Sequence, residues 1–119
     1  MQELFQKIGG VKGIEKFLDE FYPLILEDTR VKHFFNGIKL KDLKSHQSFF
    51  LSYVFGGIPE YTRKSLRESH KHLNINDDAF DIILNHMLTA FKIINLDAQT
   101  IIAAMSILET TRGDIVTKQ

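Results

Sequence analysis

Apolar residues in this chain recur every three or four positions, in runs separated by Gly, Asn, Asp and Pro, and nowhere alternate with polar ones as a strand would require. Leu4, Phe5 and Ile8 form a first short patch that Gly9-Gly10 interrupts. From Gly13 to about Glu27, the positions Ile14, Phe17, Leu18, Phe21, Ile25 and Leu26 predict an amphipathic helix with a broad buried face. Pro23 lies inside it, removes a backbone donor opposite Asp19, and predicts a kink or break after Tyr22. VKHFFNGIK reads as a tight helical turn that carries Phe34 and Phe35 inward. Leu40 to Phe55 is the next helix, stopped by Gly56-Gly57 with Pro59 just beyond. Ser65 caps a short helix, and Asn74 to Asp78 forms a polar joint. Phe80, Ile83, Leu84, Met87, Leu88 and Phe91 then mark a helix that closes near Asn95. Asp97 caps the last one, which carries Ile101, Ile102, Met105, Ile107 and Leu108 and runs out in a polar tail, GDIVTKQ. The pattern predicts an all-α chain of six or seven helices.

Length and composition narrow what such a chain can do. A single domain of 119 residues, 44% of them hydrophobic, buries about two thirds of its unfolded surface, enough for one core or one enclosed ligand. Fifteen basic and fifteen acidic residues cancel without long runs of either sign, which argues against nucleic acid as a partner. With no Cys there is no disulfide, no thiolate-bound zinc and no thioether-linked haem. The first residues lack the basic-then-apolar order of a signal region, and no apolar run approaches the roughly 20 residues of a membrane span, so the expected compartment is the cytoplasm.

Against this background the histidines become informative. His33 sits beside Lys32 at a turn, where a solvated or capping role suffices, and His86 flanks a core stripe as a boundary residue. His70 and His72 are two apart and point to opposite sides of a helix, so they cannot share a metal. Leu66 and Leu73 flank His70 as the inward member, while His72 sides with Arg67, Ser69 and Lys71. The same test turns His46 inward, between Leu43 and Phe50. Each inward histidine alone reads as a hydrogen-bonded core residue. As a pair on different helices they can face one another across a gap lined by aromatic and aliphatic side chains. Zinc fits poorly, because a closed site needs four ligands and no third inward His or carboxylate has matching spacing. A flat apolar ring carrying one iron needs only axial ligands from the protein.

The chain resembles the truncated haemoglobins, most closely their first group as found in cyanobacteria and protists, from Phe5 to Asp114. The markers that carry the likeness occur in order: KIGG at 7 to 10, EFY at 20 to 22, VKHFF at 31 to 35, HQ at 46 and 47, GG at 56 and 57, YT at 61 and 62, and LRESHKHL at 66 to 73. The resemblance implies a two-over-two helical sandwich around one non-covalent haem b per chain. It makes His70 the proximal iron ligand, Phe35 the phenylalanine packed on the haem, and Tyr22 and Gln47 the distal hydrogen-bonding pair. His46 matches a histidine able to take the sixth iron site, and Lys44 and Tyr61 match propionate contacts. Phe34, Leu43, Leu66, Leu73 and Phe80 complete the expected haem-contacting set.

Three departures from the family pattern bear on function. Leu43 occupies a distal position often held by glutamine, leaving Tyr22, Gln47 and His46 as the polar set. Leu51 stands where some members place a phenylalanine proposed to gate a ligand tunnel. Thr111 replaces a histidine that in a cyanobacterial relative bonds to the haem vinyl, so the haem here is expected to be non-covalent. The expected function is reversible binding of O2, CO and NO, with conversion of nitric oxide to nitrate supported by an external reductase. The alternative is a six-coordinate protein, His46 and His70 on the two iron faces, serving electron transfer, peroxide chemistry or gas sensing. A haem-free helical interaction module is the third possibility. A monomer or weak dimer is expected.

Overall fold

The computed structural model describes residues 3–57 and 74–116, and every regular element among them is helical. In chain order these are α1 (Glu3–Ile8), α2 (Gly10–Leu26), a 3-10 turn (Lys32–Phe35), α3 (Leu40–Val54), α4 (Asp77–Ile93), α5 (Ala98–Glu109) and α6 (Arg112–Ile115). Helix α2 packs against both α3 and α4, α4 packs on α5, and α1 lies against α2 and α5. The pairs α2/α3 and α4/α5 form a two-over-two sandwich.

The corner between α1 and α2 is sharper than the sequence suggests. Helix α2 starts at Gly10 rather than Gly13, because Gly9 and Gly10 adopt φ of 111° and 67° and turn the chain at once. Gly13 is needed for a different reason. A Cβ there would lie 2.0 Å from the Ile8 carbonyl oxygen, so only glycine lets the two helices approach this closely.

The expected break at Pro23 does not occur. Helix α2 continues to Leu26, with the Glu27 N–H donating to the Pro23 carbonyl. Pro23 and Asp19 both lie on the solvent face, where water can satisfy the carbonyl that lacks its helical donor. The buried stripe of α2 is Ile14, Phe17, Leu18, Phe21, Tyr22 and Ile25, whereas Leu26 is exposed at the helix end. Phe17 stacks on Phe91 of α4 with ring centroids 4.2 Å apart, and Phe55 meets Phe91 edge-on at 6.3 Å.

Capping follows local chemistry. The Asn76 side chain accepts from the Ala79 N–H at 2.8 Å, and Asp97 accepts from Thr100 N–H at 2.7 Å, which holds the Asp97 carboxyl below its ordinary range. The C-terminal segment differs from a simple polar tail. Residues 112–115 form a helical turn that buries Asp114 and Ile115. Its Arg112 donates to Asp77, Asp81 and Glu109 and lies 4.6 Å from the centroid of the Phe80 ring. One guanidinium thereby ties α6 to the start of α4 and the end of α5.

Candidate functional site

A cavity of about 300 Å³ opens between the helix pairs. Its α2/α3 wall contains Phe21 and Tyr22, then Leu43, His46, Gln47 and Phe50, four positions that the helical repeat places on one face of α3. Its opposite wall comes from Phe80, Ile83, Leu84 and Met87 of α4, continued by Leu108, Thr111 and Ile115. Phe35 and Ile38 close one end, Ile75 another, and Asp42 stands with His46 at the exposed mouth.

Among the described residues, the α2/α3 wall carries most of the polar groups at the cavity. Tyr22 is only 1% exposed and its hydroxyl donates to the main-chain carbonyl of Leu43 at 3.2 Å. Burial pushes the phenol well above its ordinary pKa, so it remains a neutral proton donor. Gln47 is half-buried, and His46 reaches the cavity from an exposed backbone position rather than from the buried face expected of it. On the other wall, the Thr111 hydroxyl donates back to the Leu108 carbonyl at 2.7 Å.

Of the residues expected to form the site, Tyr22, Phe35, Leu43, His46, Gln47 and Phe80 converge on this cavity. Two others lie apart from it. Phe34 faces a neighbouring cleft, with its ring 4.1 Å from that of His33, because successive residues of a 3-10 turn point about 120° apart. Lys44 is turned toward α2, where its ammonium meets Asp19 at 2.8 Å. Tyr61, Leu66, His70, His72 and Leu73 lie outside the described residues. Leu51 is fully buried in the core. His86 is a boundary histidine, half-buried with Nε2 2.7 Å from the Asp28 carboxylate, which also binds Arg30. Those two partners, Arg30 foremost, hold the Asp28 carboxyl well below its usual range.

Several lining residues carried no distinguishing signal. Phe50, Ile83, Leu84, Met87 and Leu108 read as core because a cavity wall and a solid core share the same apolar period. Ile75 was detectable as a single apolar residue in Asn74-Ile75-Asn76, and Ile115 as half of the Ile115-Val116 pair in the polar C-terminal tail.

The walls suit a flat, largely apolar group. Aromatic and aliphatic side chains bound it on both sides, and among the described residues Tyr22, His46 and Gln47 face it from the α2/α3 side. The comparisons with known proteins agree with this. The model of the bacterial-like globin family matches residues 3–117. A group 1 truncated haemoglobin of Synechocystis is 35% identical over 96 residues, 77% of each chain, and one of Tetrahymena thermophila is 31% identical over 97% of this chain and 95% of its own. Among solved structures, the truncated haemoglobin of Tetrahymena pyriformis in its Fe(III) form superimposes with a TM-score of 0.86 at 30% identity, covering 97% of this chain and 98% of that one. The 2/2 haemoglobin of Synechococcus, in a cyanomet state with covalently attached haem, gives a TM-score of 0.89 at 27% identity over the same shares. The fold, the cavity and these likenesses together place the chain in the bacterial-like globin family, as a haem-binding truncated haemoglobin of group 1.

Proposed function

We propose that residues 1–119 form a single cytoplasmic globin domain that holds one non-covalent haem b and reversibly binds oxygen, CO and nitric oxide, with nitric oxide detoxification as its use and an external reductase as its partner. When bound, haem supplies a ferrous iron that takes a diatomic gas and shifts electron density onto oxygen but little onto CO. The chain's own contribution is binding, orientation and a directed proton. The observation that carries this reading is the placement of Tyr22 and Gln47 on one wall of a largely apolar cavity. Burying a donor costs desolvation, whereas a donor that can be aimed at developing charge stabilises it.

His70 is the proximal ligand in this reading, with Leu66 and Leu73 beside it, and Tyr61 a contact for the haem carboxylates. Phe35 and Phe80 line the cavity and would contact the ring. The Thr111 side chain, a hydroxyl bound to Leu108, supports non-covalent attachment, in contrast to the Synechococcus protein. A second reading draws on His46, which lines the cavity at its mouth. With His46 as an internal sixth ligand the protein would serve electron transfer, peroxide chemistry or gas sensing, and gas affinity would fall by the fraction of molecules in which it is bound.

Absorption spectra of the ferric and ferrous protein, with and without CO, separate these readings. A high-spin ferrous spectrum with fast CO binding supports the first. A low-spin ferrous spectrum that His46→Ala converts to high-spin supports the second. His70→Ala should lose haem while His72→Ala keeps it; equal retention by both overturns the proximal assignment.

A further inference from the structure

The Tyr22 hydroxyl lines the cavity, yet its proton is directed at the Leu43 main-chain carbonyl, 3.2 Å away. A phenol has one proton and can donate it once. We propose that the Leu43 carbonyl is the specificity-determining partner of Tyr22: it keeps the hydroxyl proton in the presence of an uncharged ligand and yields it only to a ligand whose outer atom carries negative charge. The inference rests on the haem-binding reading and specifies how its distal wall chooses among gases.

Three features of the wall make this exchange selective and inexpensive. The Tyr22 ring is fixed, 1% exposed, with Phe21 at 5.3 Å and Phe35 edge-on at 6.5 Å between centroids, so only the O–H bond needs to rotate. The carbonyl does not become an orphan when the hydroxyl leaves. Leu43 lies within α3, where the helical repeat directs the N–H of residue 47 at the same oxygen. Finally, the side chain at 43 is leucine, which offers no polar atom to intercept the hydroxyl and leaves the main chain as its partner.

The outcome then depends on the relative strength of two acceptors. A hydrogen bond to a charged acceptor is about twice as strong as one between neutral groups. A ligand like CO, with little charge on its outer atom, gives no advantage over the amide carbonyl, and the hydroxyl stays on Leu43. Oxygen on a ferrous centre outcompetes the carbonyl. The Leu43 bond must be given up, so the net gain for oxygen is smaller than an unencumbered tyrosine would provide. When the hydroxyl stays on Leu43, the Gln47 amide is the donor that meets the ligand.

Infrared spectra of the CO form and stopped-flow gas release test this on wild type, Tyr22→Phe and Gln47→Leu. The CO stretching band is expected to stay in place in Tyr22→Phe and to move in Gln47→Leu. Oxygen release should quicken about tenfold in Tyr22→Phe, and CO release by less than about twofold. A CO band that moves in Tyr22→Phe, or equal acceleration for both gases, overturns the inference, since the hydroxyl would then already face the ligand. Thermal unfolding supplies an arm that needs no gas: Tyr22→Phe should lower the midpoint, and an unchanged midpoint removes the Leu43 contact as a real bond. A preparation with no haem band overturns the haem reading itself, whereas a haem-bearing protein with a displaced CO band overturns only this step.

Discussion

The two walls of the cavity use polarity in opposite ways. On the α2/α3 side the polar groups face inward: Tyr22 and Gln47 line the space that a ligand would occupy. On the α4 to α6 side the described lining is apolar apart from Thr111, whose hydroxyl turns back to Leu108, and on the outer surface Arg112 gathers Asp77, Asp81 and Glu109 behind the Phe80 ring. The first arrangement costs desolvation and supplies chemistry. The second costs little, because its carboxylates remain more than half exposed, and it supplies closure between helices. On the proposed function, holding an apolar ring and polarising a gas on one face of it would call for walls that differ in this way.

The comparison breaks most severely if the apolar wall is given a charge. Met87→Glu places a carboxylate on that wall at a position 8% exposed, with an expected loss of about 3 kcal/mol or more. Gln47→Leu, the reverse exchange on the polar wall, should change stability by less than about 1 kcal/mol while altering the gas kinetics. Urea unfolding of both variants reads the difference, and similar losses would mean that the walls do not differ in the way described.

A smaller effect is expected at the outer clasp. Arg112→Met removes the shared cation and its stacking on Phe80 and leaves three carboxylates near one another, an expected loss of about 1 to 2 kcal/mol that high salt reduces. Arg112→Lys should recover only part of it, because an ammonium cannot bond to three carboxylates in the same planar geometry. Thermal midpoints in low and high salt check both points.

The smallest effect is expected at Asp28, which lies away from both walls. Its folded pKa is depressed by Arg30 and then His86, so it contributes stability that is complete above the ordinary carboxylate pKa of about 3.9 and declines as the pH falls from there toward the folded value. The difference in thermal midpoint between wild type and Asp28→Asn should therefore be present at neutral pH and shrink on acidification below about pH 4. A difference that grows with acid would show that the carboxylate is not the stabilising form.

What the sequence disclosed follows the same division. The stripes of α2, α3 and α4 were legible because burial of one helix face imposes a period on the chain, and Asp97 was legible as a cap because its side chain acts locally. Spacing turned His46 inward beside Leu43 and Phe50, but distal roles for Tyr22, His46 and Gln47 came only from the family likeness, since nothing in their spacing distinguishes a ligand donor from a satisfied core residue. The direction of Phe34 and Lys44 depended on which neighbouring element each would meet, which local pattern does not encode. The break expected at Pro23 is absent for a similar reason: the rule about missing donors is sound, but its cost depends on whether the deprived carbonyl faces water. The clasp at Arg112 joins residues 31 and 35 positions apart, well beyond any periodicity.

Helix α1 contributes no side chain to the cavity, yet its Phe5 ring occupies the space that a Cβ at Gly57 would need, 2.6 Å from where that atom would sit. Gly57 lies just beyond the end of α3. The ring therefore rests against the turn that closes the helix bearing Leu43, His46 and Gln47. A short helix that looks expendable consequently acts as a doorstop for the polar wall, and a change that displaces Phe5 would be felt at the far end of α3.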